Sequence, residues 1–346
     1  MISRHARTAI GALSTSLLLA GAAWLAPAAA ASGTTAAASD PPGCTRTPLP
    51  SGGDHIVCTQ GLPASSVLMG TDKADIIEVS DSTGKNHVYG SIYALGGDDV
   101  IIVDRVSGGG KPLSLRGLID GGDGNDEITV TSTLPYAVVG DIFGGAGDDT
   151  ITVAGGVMRG RVHGDAGDDE INIGSFHEGE VDGGDGNDVL RVGEIDQLPQ
   201  DTTSRFDGGS GDDTITVGEL NGTVHGGSGE DEITVDRMAP KKPGVTDIAI
   251  VDGGEGDDVI RTGAIGATAE FGYGEIHGGP GDDLIEVPSV GQYHSGAVTG
   301  DDGDDVIRGP GGTSVLVGPF GHVDGGNGTN LCRTDRLGGW VTNCQA

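Results

Sequence analysis

The chain has 346 residues with a formal net charge of −33 and 67 glycines, while only 3% of its residues are aromatic. This composition excludes an ordinary aromatic-rich globular core, and regularly placed isoleucine and valine residues argue against a disordered polymer. The charge makes nucleic acid and anionic membrane surfaces poor partners and multivalent cations natural ones.

The N-terminus predicts export. Arg4 and Arg7 precede an apolar stretch that ends in small residues around Ala28 to Ala31, the pattern of a cleaved signal peptide at residues 1–31. An uncleaved membrane anchor is the alternative, but the cleavage-like ending and the lack of a stop-transfer flank favour removal. We therefore expect a secreted, extracellular protein that does not insert into the membrane.

The four cysteines lie in two pairs near the ends of the expected mature chain: Cys44, Cys58, Cys332 and Cys344. Four cysteines allow three connectivities. Because each pair is separated by a short segment and the pairs lie at opposite ends of an elongated object, we expect Cys44–Cys58 and Cys332–Cys344 disulfides. They would staple an N-terminal linker and cap (residues 32–67) and a C-terminal cap (residues 325–346).

Between the caps, residues 68–324 carry a repeated acidic glycine turn, as in GGDGND at Gly121–Asp126. Turn positions are numbered from the first residue of this motif. The copies begin at Gly70, Ala94, Gly121, Gly144, Gly164, Gly183, Gly208, Gly226, Gly253, Gly278, Gly300 and Gly325. Position 6 is Asp in eleven of the twelve copies and Asn330 in the last.

Strand patterns flank each turn. Positions 8 and 10 are mostly Ile and Val, and the residue two before position 1 is also apolar, as in Ile119 and Val224, so one face of each strand points inward. Four residues before position 1 stands a glycine or another small residue, which suggests two closely approaching sheets around a thin core. Insertions all fall between one copy's second strand and the next copy's first strand. The sequence therefore predicts an all-β fold, a parallel β-roll or β-helix solenoid with disulfide-stapled terminal caps.

The turn chemistry suits a hard cation. Glycine at positions 1, 2 and 4 permits left-handed backbone angles and lets carbonyl oxygens converge, while position 6 supplies a carboxylate. Ca²⁺ takes six to eight such oxygens. Stacked turns would place carboxylates about 4.8 Å apart, where they would repel each other unless cations lay between them.

This pattern resembles the calcium-binding nonapeptide repeat G-G-x-G-x-D-x-U-x of the repeats-in-toxin (RTX) family, across roughly residues 68 to 332. The resemblance implies a β-roll with Ca²⁺ between the turns of adjacent coils, held by position 6 carboxylates and turn carbonyls. The implied carboxylate ligands are Asp99, Asp126, Asp149, Asp169, Asp188, Asp213, Asp231, Asp258, Asp283 and Asp305. The implied carbonyl ligands include Gly121, Gly144, Gly183, Gly208, Gly226, Gly253 and Gly278.

The sequence departs from the family pattern in ways that reduce the expected number of calcium sites. Only one turn per coil keeps the motif here, so we expect one row of calcium ions. The copies at Gly70, Ala94 and Gly325 have lost glycines or the acid and resemble caps with weak or no calcium binding. Asp165 and Asp301 replace the second glycine, so the turn could differ there.

Other candidates are weaker. His163, His225 and His277 share the position before the first glycine and are expected to be exposed spacers. A cell-surface polysaccharide could contact basic and aromatic residues of the insertions, but loop solubility and local packing explain these residues without a ligand and are the preferred explanation: Arg105, Lys111, Arg116, Arg237, Lys241, Lys242, Phe271, Tyr273 and Tyr293. Position 9 lacks the regular threonine row that an ice-binding plane would need.

The sequence thus predicts an extracellular calcium-binding repeat protein that folds on binding a row of Ca²⁺ ions, with a structural or surface-adhesive role and an unidentified polysaccharide or protein partner. The alternative is a polysaccharide-acting enzyme, similar to a lyase or epimerase, on a β-helical scaffold. No nucleophile elbow, metalloprotease motif or phosphate loop is present, so we do not expect an enzyme.

Overall fold

A computed structural model describes residues 40–80, 87–107, 117–196, 205–238, 248–266 and 273–345. The predicted signal peptide and the first part of the linker lie outside the described residues. So do Lys111, Arg116, Lys241, Lys242 and Phe271 among the insertion residues.

The described residues form strands with turns between them and a single turn of 3₁₀-helix at Pro310–Gly312. The strands are β1 Cys44–Pro48, β2 Asp54–Cys58, β3 Val67–Thr71, β4 Ile76–Val79, β5 His87–Val88, β6 Ser91–Gly96, β7 Val100–Val103, β8 Arg105–Val106, β9 Leu118–Asp123, β10 Glu127–Val130, β11 Asp141–Ala146, β12 Thr150–Ala166, β13 Glu170–Asp185, β14 Val189–Asp196, β15 Arg205–Ser210, β16 Thr214–Ser228, β17 Glu232–Met238, β18 Ile248–Glu255, β19 Val259–Thr262, β20 Tyr273–Pro280, β21 Leu284–Glu286, β22 Ser289–Val290, β23 Gly296–Asp302, β24 Val306–Arg308, β25 Val315–Val317, β26 Gly321–Asp324, β27 Leu331–Cys332, β28 Thr334–Arg336 and β29 Trp340–Thr342. Long strands such as β12 and β16 bend around the corners of a coil.

Corresponding strands of successive coils pair in parallel and in register. After the turn, position 8 residues stack coil on coil, as in the pairing of Ile128 with Ile101 on one side and Ile151 on the other. Before the turn, Ile119 pairs in the same way with Ile92 and Ile142. The fold is therefore a parallel β-solenoid, as the repeat predicts.

The connecting segments form a third side of the coil, which the sequence did not predict. Short strands pair there, as in β5 with β8 and β22 with β25. Their inward side chains are fully or almost fully buried and fill the space between the other two sides: Leu62, Val88, Val106, Val138, Val157, Phe176, Ile195, Leu220, Met238, Ile265, Val290 and Val317. The core is consequently deeper than the thin two-sheet core expected from the sequence.

The glycines four residues before position 1 lie at a corner rather than facing a large residue across two sheets. A Cβ on Gly140 would overlap the carbonyl oxygen of Gly117 in the preceding coil and approach Val106 of the third side. The same overlap recurs at Gly117 and Gly160. These glycines let backbones of adjacent coils approach closely where the chain turns onto the strand that precedes the acidic turn.

Both predicted disulfides are confirmed. Cys44 and Cys58 face each other across an antiparallel hairpin of β1 and β2, and β2 then pairs in parallel with β4, so the hairpin closes the N-terminal end. Cys332 in β27 is joined to Cys344 after β29, in the last coil. Among the described residues, no helix reaches the length and apolarity that a bilayer span requires.

Candidate metal centre

The acidic turns stack along one edge of the solenoid with a shared backbone shape. Glycines at positions 2 and 4 have positive φ angles, as in Gly122 at 112° and Gly124 at 140°. Where Asp stands at position 2, it takes the same left-handed region, with φ of 79° at Asp165 and 73° at Asp301. The turn therefore keeps its shape in the copies where the sequence suggested a difference, at the cost of backbone strain for a residue with a Cβ.

The position 6 carboxylates point into the solenoid and link neighbouring coils. From Asp99 to Asp305 each is at most 2% exposed. Each Oδ1 accepts the backbone N–H of the position 6 residue in the preceding coil, at 2.6 to 3.0 Å. A buried carboxylate is thereby fixed in every coil by a ladder that runs along the axis.

The second oxygen of each of these carboxylates has no partner. The Oδ2 atoms are buried and accept no hydrogen bond in Asp99, Asp126, Asp149, Asp169, Asp188, Asp213, Asp231, Asp258, Asp283 and Asp305. Buried polar groups without a partner are rare and costly, and a charged one costs more. Ten in one row require an explanation.

The surroundings of these oxygens form a small oxygen-lined cradle. A Cβ on Gly208 would lie within 3.0 Å of both the Oδ2 of Asp213 and the carbonyl oxygen of Gly226 in the next coil. The equivalent pair of oxygens surrounds position 1 in each coil from Gly121 to Gly300. The predicted carbonyl residues are therefore brought to the carboxylates. Gly164 and Gly300, which the implied ligand set omits, are placed in the same way.

The two ends of the row satisfy the same atoms with protein donors. In the last turn Asn330 Oδ1 continues the ladder by accepting the N–H of Asp305 at 2.7 Å. Its Nδ2 donates to the carbonyl oxygen of Asn343 in the next coil, at 3.5 Å. In the first turn, where Thr71 stands at position 2, Asp75 Oδ2 accepts the backbone N–H of Thr71 at 2.5 Å. Between these ends, two acceptor oxygens approach each other with no donor between them.

Burial makes these carboxyl groups hard to ionise. Desolvation raises the pKa of Asp169, Asp213 and Asp283 from the ordinary value of 3.8 to about 8, and neighbouring carboxylates add to the rise. It raises the pKa of the other seven to about 6 or 7, with the backbone N–H of the preceding coil opposing the shift. Each oxygen pair thus favours a shared proton or a cation over a bare negative charge.

A second ladder outside the first was not predicted. The position 5 residue of one coil accepts the backbone N–H of position 5 in the following coil, as in Asp168 to Asn187 and Asp212 to Glu230, both at 2.8 Å. Glu230 differs from the Asp and Asn residues that accept elsewhere in this row, and no bond from Asp257 to it is present. The near-constant Asp or Asn at position 5 was the sequence signal, but the metal motif treats that position as variable.

The side chains alone do not complete a metal site. Among the residues that the structure describes, no three His, Cys, Asp or Glu side chains converge on one point. Ca²⁺ commonly combines carboxylates with backbone carbonyls, so the single carboxylate and the carbonyl oxygen in each coil fit its chemistry, and a transition metal fits less well. The two oxygens of each coil are thus of the types that Ca²⁺ prefers.

The three outer histidines pair with carboxylates in the solenoid. His225 Nδ1 lies 3.3 Å from Asp252 Oδ2, His277 Nδ1 lies 3.3 Å from Asp301 Oδ2, and His163 Nε2 lies 3.4 Å from Glu180 Oε2. The side-chain hydrogen bond to Asp252 raises the pKa of His225. Their side chains are partly exposed.

The basic insertion residues that the structure describes are paired with acids. Arg237 contacts Glu219, and Arg105 lies 3.7 Å from Asp104. Tyr293 is 60% exposed, whereas Tyr273 is partly buried beside Glu275.

No protein-family model matches the chain, and no curated protein is significantly similar to it. A search of solved structures found "a hyperactive, Ca2+-dependent, beta-helical antifreeze protein from an Antarctic bacterium", with 19% identity and a TM-score of 0.44 over 84% of this chain and 81% of that one. At these values the likeness supports no argument about function, so the assignment of the site rests on the residues of this chain.

Proposed function

We propose that this protein is an extracellular calcium-binding solenoid of the RTX type, which binds a row of Ca²⁺ ions beneath its stacked acidic turns and folds as it does so. The observation that carries the proposal is the row of ten buried oxygens with no hydrogen-bond partner, nine of which lie beside a carbonyl oxygen of the next coil. A divalent cation neutralises such a pair and is attracted by both members.

The end turns support the choice of a cation. In the last turn, Asn330 places an N–H donor beside the carbonyl oxygen of the next coil, so no ion is needed there. In the inner turns a carboxylate oxygen occupies that position, and no positive charge or donor lies between the two oxygens. The end turns thus have a donor that the inner turns lack, and this difference supports a cation in the inner turns. The number of unpartnered carboxylates gives at most ten ion positions in the described turns.

Each residue of the acidic turn has a separate role in binding the ion. The Oδ1 atom of the position 6 aspartate accepts the N–H of the preceding coil, and this bond fixes the carboxylate. Its Oδ2 atom and the carbonyl oxygen of the next coil would bind the ion. Position 1 glycines leave the space that a Cβ would fill. Ca²⁺, when bound, supplies positive charge and coordination to several oxygens at once. Because adjacent coils share each site, binding and stacking are linked in one equilibrium.

The test is far-UV circular dichroism of the processed, oxidised protein during a Ca²⁺ titration, with Mg²⁺ as the control ion. We expect a cooperative rise in strand content with Ca²⁺ and little response to Mg²⁺, which demands a stricter octahedral geometry. Full strand content in chelator at pH 8, unchanged by Ca²⁺, would contradict the proposal.

The biological setting follows from the same features. Two disulfides fit an oxidising, extracellular compartment, where calcium is abundant. We infer a structural or surface-associated role, because the chain supplies a scaffold and the sequence shows no catalytic motif. Retention of the protein on washed cells in Ca²⁺ and its release by chelator is the expected result, and free recovery in the medium under both conditions contradicts surface association.

A further inference from the structure

Three polar side chains lie together on the outer face of the strands that precede the acidic turns. Asp252 in β18 pairs in register with His277 in β20, so both occupy the position before the first glycine in adjacent coils. Glu275 stands two residues before His277 in the same strand and therefore lies on the same face. Parallel strands are about 4.8 Å apart, so one ion can contact side chains of both strands.

Glu275 and His277 have a spacing close to that of two ligands of one metal ion. Glu275 Oε2 lies 3.7 Å from His277 Nε2, beyond the range of about 2.7 to 3.2 Å for an N–H···O hydrogen bond. Two ligands of a tetrahedral zinc ion lie about 3.3 to 3.4 Å apart, because each is about 2.0 to 2.1 Å from the metal. A small closing movement brings the two atoms to that separation.

The other ring nitrogen of His277 is held in the way that a metal-binding histidine needs. His277 Nδ1 lies 3.3 Å from Asp301 Oδ2, so the carboxylate favours a proton on Nδ1. Nε2 then keeps its lone pair on the side of Glu275. Histidines that bind metals almost always donate their second ring N–H to a carboxylate, a carbonyl group or water. Asp301 is thus a positioning residue for the imidazole.

Neighbours also hold the two carboxylates. His225 Nδ1 lies 3.3 Å from Asp252 Oδ2, and the Tyr273 hydroxyl donates to Glu275 Oε1. Each contact uses one of the two oxygens of its carboxylate. The arrangement therefore resembles a metal ligand set with its supporting contacts in place, because such contacts fix the orientation of ligating side chains.

The negative charge at this place lacks a cationic side chain. Among the described residues, no lysine or arginine forms an ion pair with Asp252, Glu275 or Asp301, and their charged partners are histidines. His163 occupies the equivalent position in an earlier coil, where its in-register neighbour Asp182 accepts a hydrogen bond from Arg205 at 3.1 Å. The carboxylate beside His163 is thus already neutralised, and the one beside His277 is not.

We propose that Asp252, Glu275 and His277 form a binding site for a divalent transition metal ion of the zinc class, separate from the row beneath the acidic turns. His277 Nε2 and one oxygen of each carboxylate are the protein ligands, and water takes the fourth position. The imidazole selects a transition metal, since Ca²⁺ and Mg²⁺ prefer oxygen ligands. The proposal does not depend on the cation in the acidic turns, provided that the chain is folded.

Binding requires side-chain rotation, because the three side chains do not converge on one point in the described structure. They are between 30% and 38% exposed, so they can rotate without displacing packed neighbours. The bound ion joins β18 to β20 across two coils. It therefore stabilises the folded chain by mass action, and this stabilisation is measurable without any enzymatic activity.

The experiment is calorimetric titration of Zn²⁺ into the processed chain without a histidine tag, in saturating Ca²⁺ so that the acidic turns are occupied. We expect one zinc ion per chain, a higher melting temperature with Zn²⁺, and the visible spectrum of a tetrahedral ion when Co²⁺ replaces it. His277→Gln and Asp252→Asn should each raise the dissociation constant at least about tenfold, and Asp301→Asn should act in the same direction. Circular dichroism in Ca²⁺ shows whether each variant is folded.

The matched control is His163→Gln, which removes an imidazole from the same position of another coil. It should leave the dissociation constant for zinc unchanged. A chain that shows neither zinc-dependent heat nor a shift of the melting temperature overturns the proposal. So does full affinity in folded His277→Gln, which places the zinc elsewhere, or an equal loss in His163→Gln, which shows unspecific binding to surface imidazoles.

Discussion

Replacing Asp213 with asparagine separates the two functions of the buried carboxylate. The substitution keeps an Oδ1 that can accept the N–H of Asp188, as Asn330 does for Asp305 at the end of the row. It removes the negative charge and places an N–H donor where Oδ2 lies, beside the carbonyl oxygen of Gly226. The variant therefore carries its own substitute for the cation.

The expected effect changes sign with calcium. Burial raises the pKa of Asp213 from 3.8 to about 8, so folding without a cation at pH 6 must protonate a group that is ionised in the unfolded chain. At 1.36 kcal/mol per pH unit, that protonation costs about 3 kcal/mol, which the asparagine does not incur. In chelator at pH 6 the variant should be more stable than the wild type by up to this amount.

In Ca²⁺ at neutral pH the variant should be less stable. It loses one ion and with it the stabilisation from mass action, about 1 to 3 kcal/mol when calcium exceeds its dissociation constant by about 10 to 100-fold. The assay is urea denaturation followed by circular dichroism in both buffers, with bound calcium counted by equilibrium dialysis.

Asp212→Asn is the matched control. Asp212 is exposed at position 5 of the same turn, and an asparagine there keeps the acceptor for the N–H of Glu230. We expect changes within about 0.5 kcal/mol in both buffers. If Asp213→Asn is destabilising in chelator as well as in Ca²⁺, or if it binds as much calcium as the wild type, the reasoning about the unpartnered oxygen is wrong.

Three further results follow from the site. In chelator the wild type should lose strand content as pH rises from about 5 to 8, since carboxyls with a folded pKa of about 6 to 8 bind protons that the unfolded chain has released; circular dichroism in Ca²⁺ should show no such loss. Gly226→Ala should lower stability by about 1 to 3 kcal/mol and weaken calcium binding, because its Cβ would overlap Asp231 Oδ2 and the Gly253 carbonyl oxygen, whereas Gly96→Ala, with ordinary contacts, should be tolerated in the same urea titration. Removing the Cys332–Cys344 disulfide by double alanine substitution should cost up to about 3 kcal/mol and expose the C-terminal coil first, which hydrogen exchange would detect.

The solenoid could be predicted because each copy of the repeat marks both the buried face of its strands and the position of its turn. Alternating Ile and Val fix which face of each strand is buried, and Gly at positions 2 and 4 fixes where the chain turns, so the register of Ile128 with Ile151 follows from the copies themselves. The same regularity identified the position 6 aspartates, and the short separation within each cysteine pair predicted the disulfides. Local pattern and tertiary fold agree throughout this region.

The third side of the coil could not be predicted in the same way. Its inward residues, such as Val138 and Phe176, stand at different distances from the turns because the insertions differ in length, so no period marks them. The free Oδ2 atoms were also beyond the sequence, since they depend on where Oδ1 finds its donor in the neighbouring coil. Position 5 was missed because a motif that treats it as variable gives no reason to compare Asp168 with Asn187.

Each carboxylate ladder in the described residues joins a residue to its counterpart one coil away, and in the sequence the insertions fall between the strand that follows one turn and the strand that precedes the next. The coil is therefore the unit by which such a chain can be lengthened or shortened: removing residues 208–225 would bring Gly226 into the place of Gly208 and leave the Asp188 N–H facing Asp231 as its new acceptor. Duplication or loss of whole coils would change the capacity for cations in single steps without disturbing either cap. A gene built in this way can vary the length of its product by unequal recombination while each product remains foldable.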